Sequence, residues 1–259
     1  MNQIEEIAKK YQLVDENTSC RCNAEHVFCL NCTKCRAMEE DKIPTDFENL
    51  CQYIDHTILK PDALSKDIIK LCEEANTFNF KSVCVNPCHV KLAKQHIKSS
   101  KICSVVGFPL GCNDISVKMV ESVKAISDGA NEVDLVQNIA AIKEFNDVSS
   151  IQNMNEFVQK LCFDSNIILK IIIETCLLNF EEIVLSSLIA KKCGADFVKT
   201  STGFSTKGAD VEDVKLIRRT VGNKMGVKAS GGIRTKDDAI AMLKAGANRL
   251  GMSNSMSCT

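Results

Sequence analysis

From about residue 50 onward the chain repeats one unit: a short run rich in Val and Ile, a polar or glycine-bearing turn, then an amphipathic helical stretch. Eight runs qualify as strands: Cys51–Asp55, Ser82–Val85, Ile102–Phe108, Glu132–Val136, Ile167–Ile173, Asp196–Thr200, Gly226–Lys228 and Arg249–Met252. Continuous apolar runs suit strands buried on both faces of a parallel sheet. Between them, Ile68, Leu71, Cys72 and Ala75 share one helical face, as do Val117, Val120, Val123 and Ile126 less cleanly. Stretches 181–190 and 237–245 are comparably amphipathic. Ser65 and Thr235 are expected N-caps. Gly129, Gly194 and Gly246 each follow a helix and open a Gly-Ala-Asn/Asp step into the next strand. Eight strands with intervening helices predict an α/β chain folded as a TIM (β/α)8 barrel, with an open doubly wound sheet as the competitor. The length of 259 residues fits one barrel.

The first 45 residues lack this alternation. They are read as a Cys-rich N-terminal extension, 1–45, ahead of a barrel domain, 46–259. Cys20, Cys22, His26, Cys29, Cys32 and Cys35 are dense in potential ligands, and Cys29-x-x-Cys32 suits a zinc corner. The spacing matches no zinc signature, so structural zinc, free thiols and disulfides all stay open. Most of the 15 cysteines lie in apolar runs, where Cys behaves as a small hydrophobe, and a reduced cytoplasmic setting is expected. A net charge of −1 gives no bulk attraction to nucleic acid or anionic membrane. No run approaches the roughly 18 apolar residues of a membrane span, and the acidic start carries no signal-peptide core.

In such a barrel the chemistry sits where strands end. Lys199 closes the run Asp196-Phe197-Val198, and Lys228 follows Gly226-Val227 on the neighbouring strand. A lysine inside an apolar barrel is costly to ionise, and a second ammonium nearby lowers its pKa further. The pair is therefore expected to titrate towards roughly 7 and to offer a neutral amine to a carbonyl. Salt bridging or snorkelling is the competing reading. Asp134, in Glu132-Val133-Asp134, shares a side of its strand with Glu132 and could balance the lysines and carry protons. The loops Ser230-Gly231-Gly232-Ile233-Arg234 and Gly251-Met252-Ser253-Asn254-Ser255 follow strands 7 and 8, where a phosphate is often held, and Gly203 could add a contact.

Several stretches carry a resemblance to a known family: Tyr53-Ile54-Asp55-His56-Thr57, Ser82-Val83-Cys84-Val85-Asn86-Pro87, Val106-Gly107-Phe108-Pro109-Leu110-Gly111, Glu132-Val133-Asp134, Ile172-Ile173-Glu174-Thr175, Phe197-Val198-Lys199-Thr200-Ser201-Thr202-Gly203-Phe204, and Val227-Lys228-Ala229-Ser230-Gly231-Gly232-Ile233-Arg234-Thr235. Together these resemble the deoxyribose-phosphate aldolases, over about residues 50–254. The resemblance implies a class I lyase without a catalytic metal or cofactor. It would cleave 2-deoxy-D-ribose 5-phosphate reversibly to D-glyceraldehyde 3-phosphate and acetaldehyde, in deoxyribonucleotide catabolism. It implies Lys199 as the imine-forming residue, Lys228 as its perturber and Asp134 in proton transfer. Thr57 and Thr202 would line the sugar, with Cys84 near the pocket at a position where aldehydes can be trapped. Gly203, Gly231, Gly232 and Ser253 would hold the phosphate. A dimer or tetramer is expected from the same source.

The chain departs from some members of that family. Phe204 stands where they carry a lysine, so the phosphate is expected to rest more on backbone N–H groups and Arg234. No tyrosine follows Tyr53, so a proton-transfer role of a C-terminal tyrosine is expected to be absent or met by water. His56 is expected to act from behind the site, and His89 and His96 to lie at the surface. Another Schiff-base aldolase and a non-catalytic sugar-phosphate-binding barrel are the alternatives.

Overall fold

The structure, a computed structural model, describes residues 3–11, 13, 44, 47–144, 158 and 166–259. The N-terminal candidates Cys20, Cys22, His26, Cys29, Cys32 and Cys35 lie outside the described residues. Eight parallel strands close on themselves in sequence order: β1 (Ile54–Ile58), β2 (Ser82–Val85), β3 (Lys101–Val106), β4 (Glu132–Val136), β5 (Ile168–Ile172), β6 (Phe197–Lys199), β7 (Gly226–Ser230) and β8 (Arg249–Met252). β8 pairs back onto β1, completing the (β/α)8 barrel. Around it run α2 (Ser65–Phe78), α3 (Val90–His96), α4 (Ile115–Ser127), α5 (Ile139–Glu144), α6 (Phe180–Lys192), α7 (Val211–Val221) and α8 (Lys236–Lys244). An N-terminal helix, α1 (Gln3–Lys10), docks on α6, where Lys10 and Tyr11 both donate to Glu181. No described helix is long and apolar enough to cross a membrane.

Three local expectations change. The first strand begins at Ile54, because Leu50–Tyr53 form a 3-10 turn below the barrel, so Cys51 lies outside the sheet. Leu64, not Ser65, caps α2, with its N–H donated to the Asp67 carboxylate; Thr235 does cap α8, accepting from the Asp238 N–H. In α4 the buried residues are Lys118, Ser122 and Ala125, whereas Val117, Val120 and Val123 face outward.

Side chains alternate across each strand. Outward positions such as Val83, Ile102, Leu135, Leu169, Ile171, Val198, Val227 and Leu250 join the helices in the main apolar core. Inward positions in the middle of the barrel are charged: Asp55, Glu132, Asp134, Lys170, Lys228 and Arg249 are fully buried. The apolar runs suit strands buried on both faces, and both faces are buried, but the middle of the inner face is built largely from paired charges.

Candidate active site

Register builds the charged centre. Asp134 on β4 pairs with Lys170 on β5, and Lys199 on β6 pairs with Lys228 on β7, which pairs with Arg249 on β8. Asp134 is the hub. Its Oδ2 accepts from Lys199 Nζ at 2.7 Å and from Lys228 Nζ at 2.8 Å, and its Oδ1 accepts from Lys170 Nζ at 2.9 Å. Lys228 also donates to Asp55, and Lys170 to Glu132. Arg249 bridges the two outer acids, 2.7 Å from Asp55 and 3.1 Å from Glu132. Three carboxylates thus meet three ammonium groups and one guanidinium. Fully ionised, the cluster carries one excess positive charge, and removing one ammonium proton makes it neutral.

This arrangement overturns the expected depression of Lys228. Burial does disfavour its charge, but Asp134 and Asp55 more than compensate and hold its pKa above the ordinary lysine value. Lys170 is likewise held up: burial opposes its charge, while Asp134 leads the groups that stabilise it. Asp134 is pushed well below the usual carboxylate range because Lys170, Lys199 and Lys228 outweigh its burial.

The cluster lies beneath a cavity of about 410 Å³ lined by Thr57, Lys60, Lys199, Thr202, Gly203, Phe204, Gly231, Gly232, Arg234 and Ser253, among others. Of the three predicted catalytic residues, Lys199 alone reaches it; Lys228 and Asp134 lie below its floor. Cys84 does not line it, being fully buried with Leu59, Cys103 and Val105. His56 points outward from β1, between Ser255 at 2.9 Å and Glu74 at 2.7 Å, and burial lowers its pKa.

The two loops over β6 and β7 meet backbone to backbone. Gly231, at φ +82°, packs against Gly203 and Gly208, and a methyl group there would lie 3.0 Å from the Gly208 Cα. A larger residue would force the facing backbone to give by a few tenths of an ångström, and the positive φ disfavours one as well. Thr200 ties the loops together, accepting from the Ser230 N–H at 3.1 Å. Glu174, itself in the left-handed region at φ 54°, accepts from the Thr202 N–H and hydroxyl, fixing that side chain at the cavity wall. A non-glycine residue held in this region by its surroundings is a recurrent feature of functional sites.

The sequence assigns no role to Lys170, Arg249 or Lys60, nor to Asp55 and Glu174, although these two end apolar runs. The available signal was a lone charge in an otherwise apolar strand, as Lys170 is in Ile168–Ile172. Among the described residues, two buried sets could reach a metal ion, Cys84/Cys103/Asp134 and Asp55/Cys103/Glu132, with ligand atoms within 4.8 Å. Their acids are already neutralised by ammonium and guanidinium groups, so a divalent cation would meet repulsion rather than open ligands.

A sequence model of the DeoC/LacD family aldolases matches residues 49–255. The chain belongs to this family. A deoxyribose-phosphate aldolase of Caldanaerobacter subterraneus is 51% identical over 209 residues, covering 79% of this chain and 90% of the relative. A solved structure of an aldolase designated QR15 aligns with a TM-score of 0.78 at 41% identity, over 81% of this chain and 94% of that one. A deoxyribose phosphate aldolase from Aeropyrum pernix, described as having a unique tetrameric structure, aligns at 0.76 and 32% identity, over 83% and 92%. This aldolase is therefore a lyase of the class that works through a lysine Schiff base and requires no metal cofactor.

Proposed function

We propose that this aldolase cleaves 2-deoxy-D-ribose 5-phosphate reversibly to D-glyceraldehyde 3-phosphate and acetaldehyde, with Lys199 as the imine-forming residue. One observation carries the assignment of the lysine: Lys199 is the only ammonium of the buried cluster that also lines the cavity. It has one carboxylate partner, where Lys228 and Lys170 each have at least two.

In this reading the neutral Lys199 amine attacks the C1 aldehyde, and the carbinolamine loses water to give an imine. Deprotonation of the 3-hydroxyl then breaks the C2–C3 bond. D-Glyceraldehyde 3-phosphate leaves, and the electron pair is held as an enamine on Lys199. Protonation at C2 and hydrolysis release acetaldehyde and restore the amine. Asp134, 2.7 and 2.8 Å from the Lys199 and Lys228 ammonium groups, passes protons between Lys228 and the carbinolamine oxygen through water in this reading. Thr57 and Thr202 face the sugar. Backbone N–H groups around Gly203, Gly231 and Gly232, with Ser253 and Arg234, take the phosphate. The route belongs to deoxyribonucleotide catabolism in the cytoplasm. A homo-oligomer is favoured by the exposed Val117, Val120 and Val123 stripe on α4 and is read out by light scattering.

Borohydride trapping with acetaldehyde, followed by peptide mass spectrometry, tests the proposal. The adduct should map to Lys199 and vanish in Lys199→Ala. A wild-type protein that forms no adduct, or forms it on Lys170 or Lys228, refutes the assignment. Cleavage of a ketose bisphosphate in preference to deoxyribose 5-phosphate refutes the substrate.

A further inference from the structure

Two thiols lie beside the charged centre without a part in the proposed chemistry. Cys84 on β2 and Cys103 on β3 are register partners on adjacent strands, both facing the barrel interior and both fully buried. Their sulfurs and an Asp134 carboxylate oxygen all lie within 4.8 Å of one another. Neighbouring strands run about 4.8 Å apart, inside the Cα span of roughly 4.4–6.8 Å that a disulfide accepts.

We propose that Cys84 and Cys103 are an oxidisable dithiol that closes to a disulfide inside the barrel when a peroxide enters from the cavity. The pair is chemically asymmetric. The neighbouring Cys103 thiol lowers the Cys84 pKa against the effect of burial, and Lys228 adds to it; burial pushes Cys103 well up, and its own proton goes to Asp134. Cys84 thus supplies the thiolate and Cys103 the resolving thiol. The Cys84 thiolate attacks one peroxide oxygen and the O–O bond breaks. This yields a Cys84 sulfenic acid and hydroxide, which takes a proton to become water. Cys103 sulfur then attacks Cys84 sulfur and expels the hydroxyl, which leaves as water with the Cys103 proton. Two thiols and one peroxide become one disulfide and two waters. Leu59 lines the cavity and belongs to the same buried cluster as both cysteines, which puts the dithiol next to the cavity wall. The bond has a consequence for the site. Cys103 Sγ donates to Asp134 Oδ1 at 3.0 Å, and a disulfide has no proton to give.

The test uses the full chain carrying Cys88→Ser and Cys112→Ser. These two exposed cysteines share tryptic peptides with Cys84 and Cys103 and would confuse the mapping. Reduced protein is exposed to hydrogen peroxide, blocked with N-ethylmaleimide and digested without reductant. The expected product is the 82–91 and 102–118 peptides joined through Cys84 and Cys103, lighter by two hydrogens than the free pair. Aldolase activity should fall in step with the cross-link and return on reduction. In the same background, Cys103→Ser should yield no cross-link. Its Cys84 should be labelled by dimedone, and its loss should not reverse once sulfinic acid forms. Recovery of both cysteines as N-ethylmaleimide adducts after activity is lost, or oxidation confined to other cysteines, overturns the proposal. Because the decisive readout is a peptide mass, it stands or falls independently of which substrate the enzyme takes.

Discussion

Lys199 differs from its neighbours in how few acids hold its proton. Lys228 and Lys170 each bridge two carboxylates in a fully buried centre, and Lys199 touches Asp134 alone. In a cluster that carries one excess positive charge, Lys199 is thus the ammonium with the fewest carboxylate contacts. Under the proposed mechanism Asp134→Asn keeps the shape but removes the negative hub and the proton carrier. Its kcat should fall by about 10²–10⁴-fold, with the KM for deoxyribose 5-phosphate changed far less, because the phosphate loops are untouched. Steady-state kinetics decide; a loss under about tenfold contradicts the proton path. Gly251→Ala probes crowding at the same centre. A methyl there would overlap Ser230 Oγ and lie 3.2 Å from Lys228 Cε, so activity should drop while the fold survives, as circular dichroism and turnover together would show. Lys199 and Lys228 were legible because each ends an apolar run, and Asp134 because it shares a side of its strand with Glu132, although Lys228 and Asp134 lie below the cavity floor. Their ionic partners were not. Recognising Lys170 or Arg249 as interior requires knowing which face of each strand points inward, and a run of apolar letters hides that period of two.

At the level of elements, α4 shows why a helical stripe can mislead. Its valines recur at helical spacing, yet the face that packs inward carries Lys118, whose ammonium donates to the Gly111 and Val136 carbonyls at 2.7 and 2.9 Å. The long lysine stem fills the apolar role while its tip pins the loop after β3 to the end of β4. Burial lowers its pKa to about 8. Between pH 8 and the ordinary lysine value near 10.5, the unfolded chain therefore binds more protons at this site than the native chain. Its contribution to stability thus rises with pH across that window and is level below it. Chemical denaturation at a series of pH values, compared with Lys118→Met, should show this rise in the wild type and a flatter difference in the variant. Equal slopes would mean the ammonium is not the group titrating. The barrel order, by contrast, was readable: eight apolar runs and the recurring Gly-Ala-Asn/Asp step are backbone requirements, insensitive to which face is polar.

Across the whole molecule, the charged centre occupies the place where a barrel of this kind is usually filled by layers of branched apolar side chains. Here the strands are joined across the interior by ions, with Arg249 on β8 reaching both Asp55 on β1 and Glu132 on β4. Its guanidinium also lies over the Phe197 ring at 5.4 Å, closing the bottom of the cluster. Desolvation makes such a centre a poor source of net stability, but removing Arg249 is costly, because Asp55 and Glu132 stay buried, lose their guanidinium hydrogen bonds and keep only lysine partners. Arg249→Met should therefore cost about 3–5 kcal/mol, which for a chain of this size is a fall in Tm of roughly 10 °C or more. The loss should exceed that of Lys199→Met, whose side chain sits at the edge of the centre beside the cavity and leaves Asp134 with Lys170 and Lys228. Differential scanning calorimetry of the two variants distinguishes the cases. If Lys199→Met is the more destabilising, the centre is organised around the cavity lysine and not, as the geometry requires, around the acids that span the barrel.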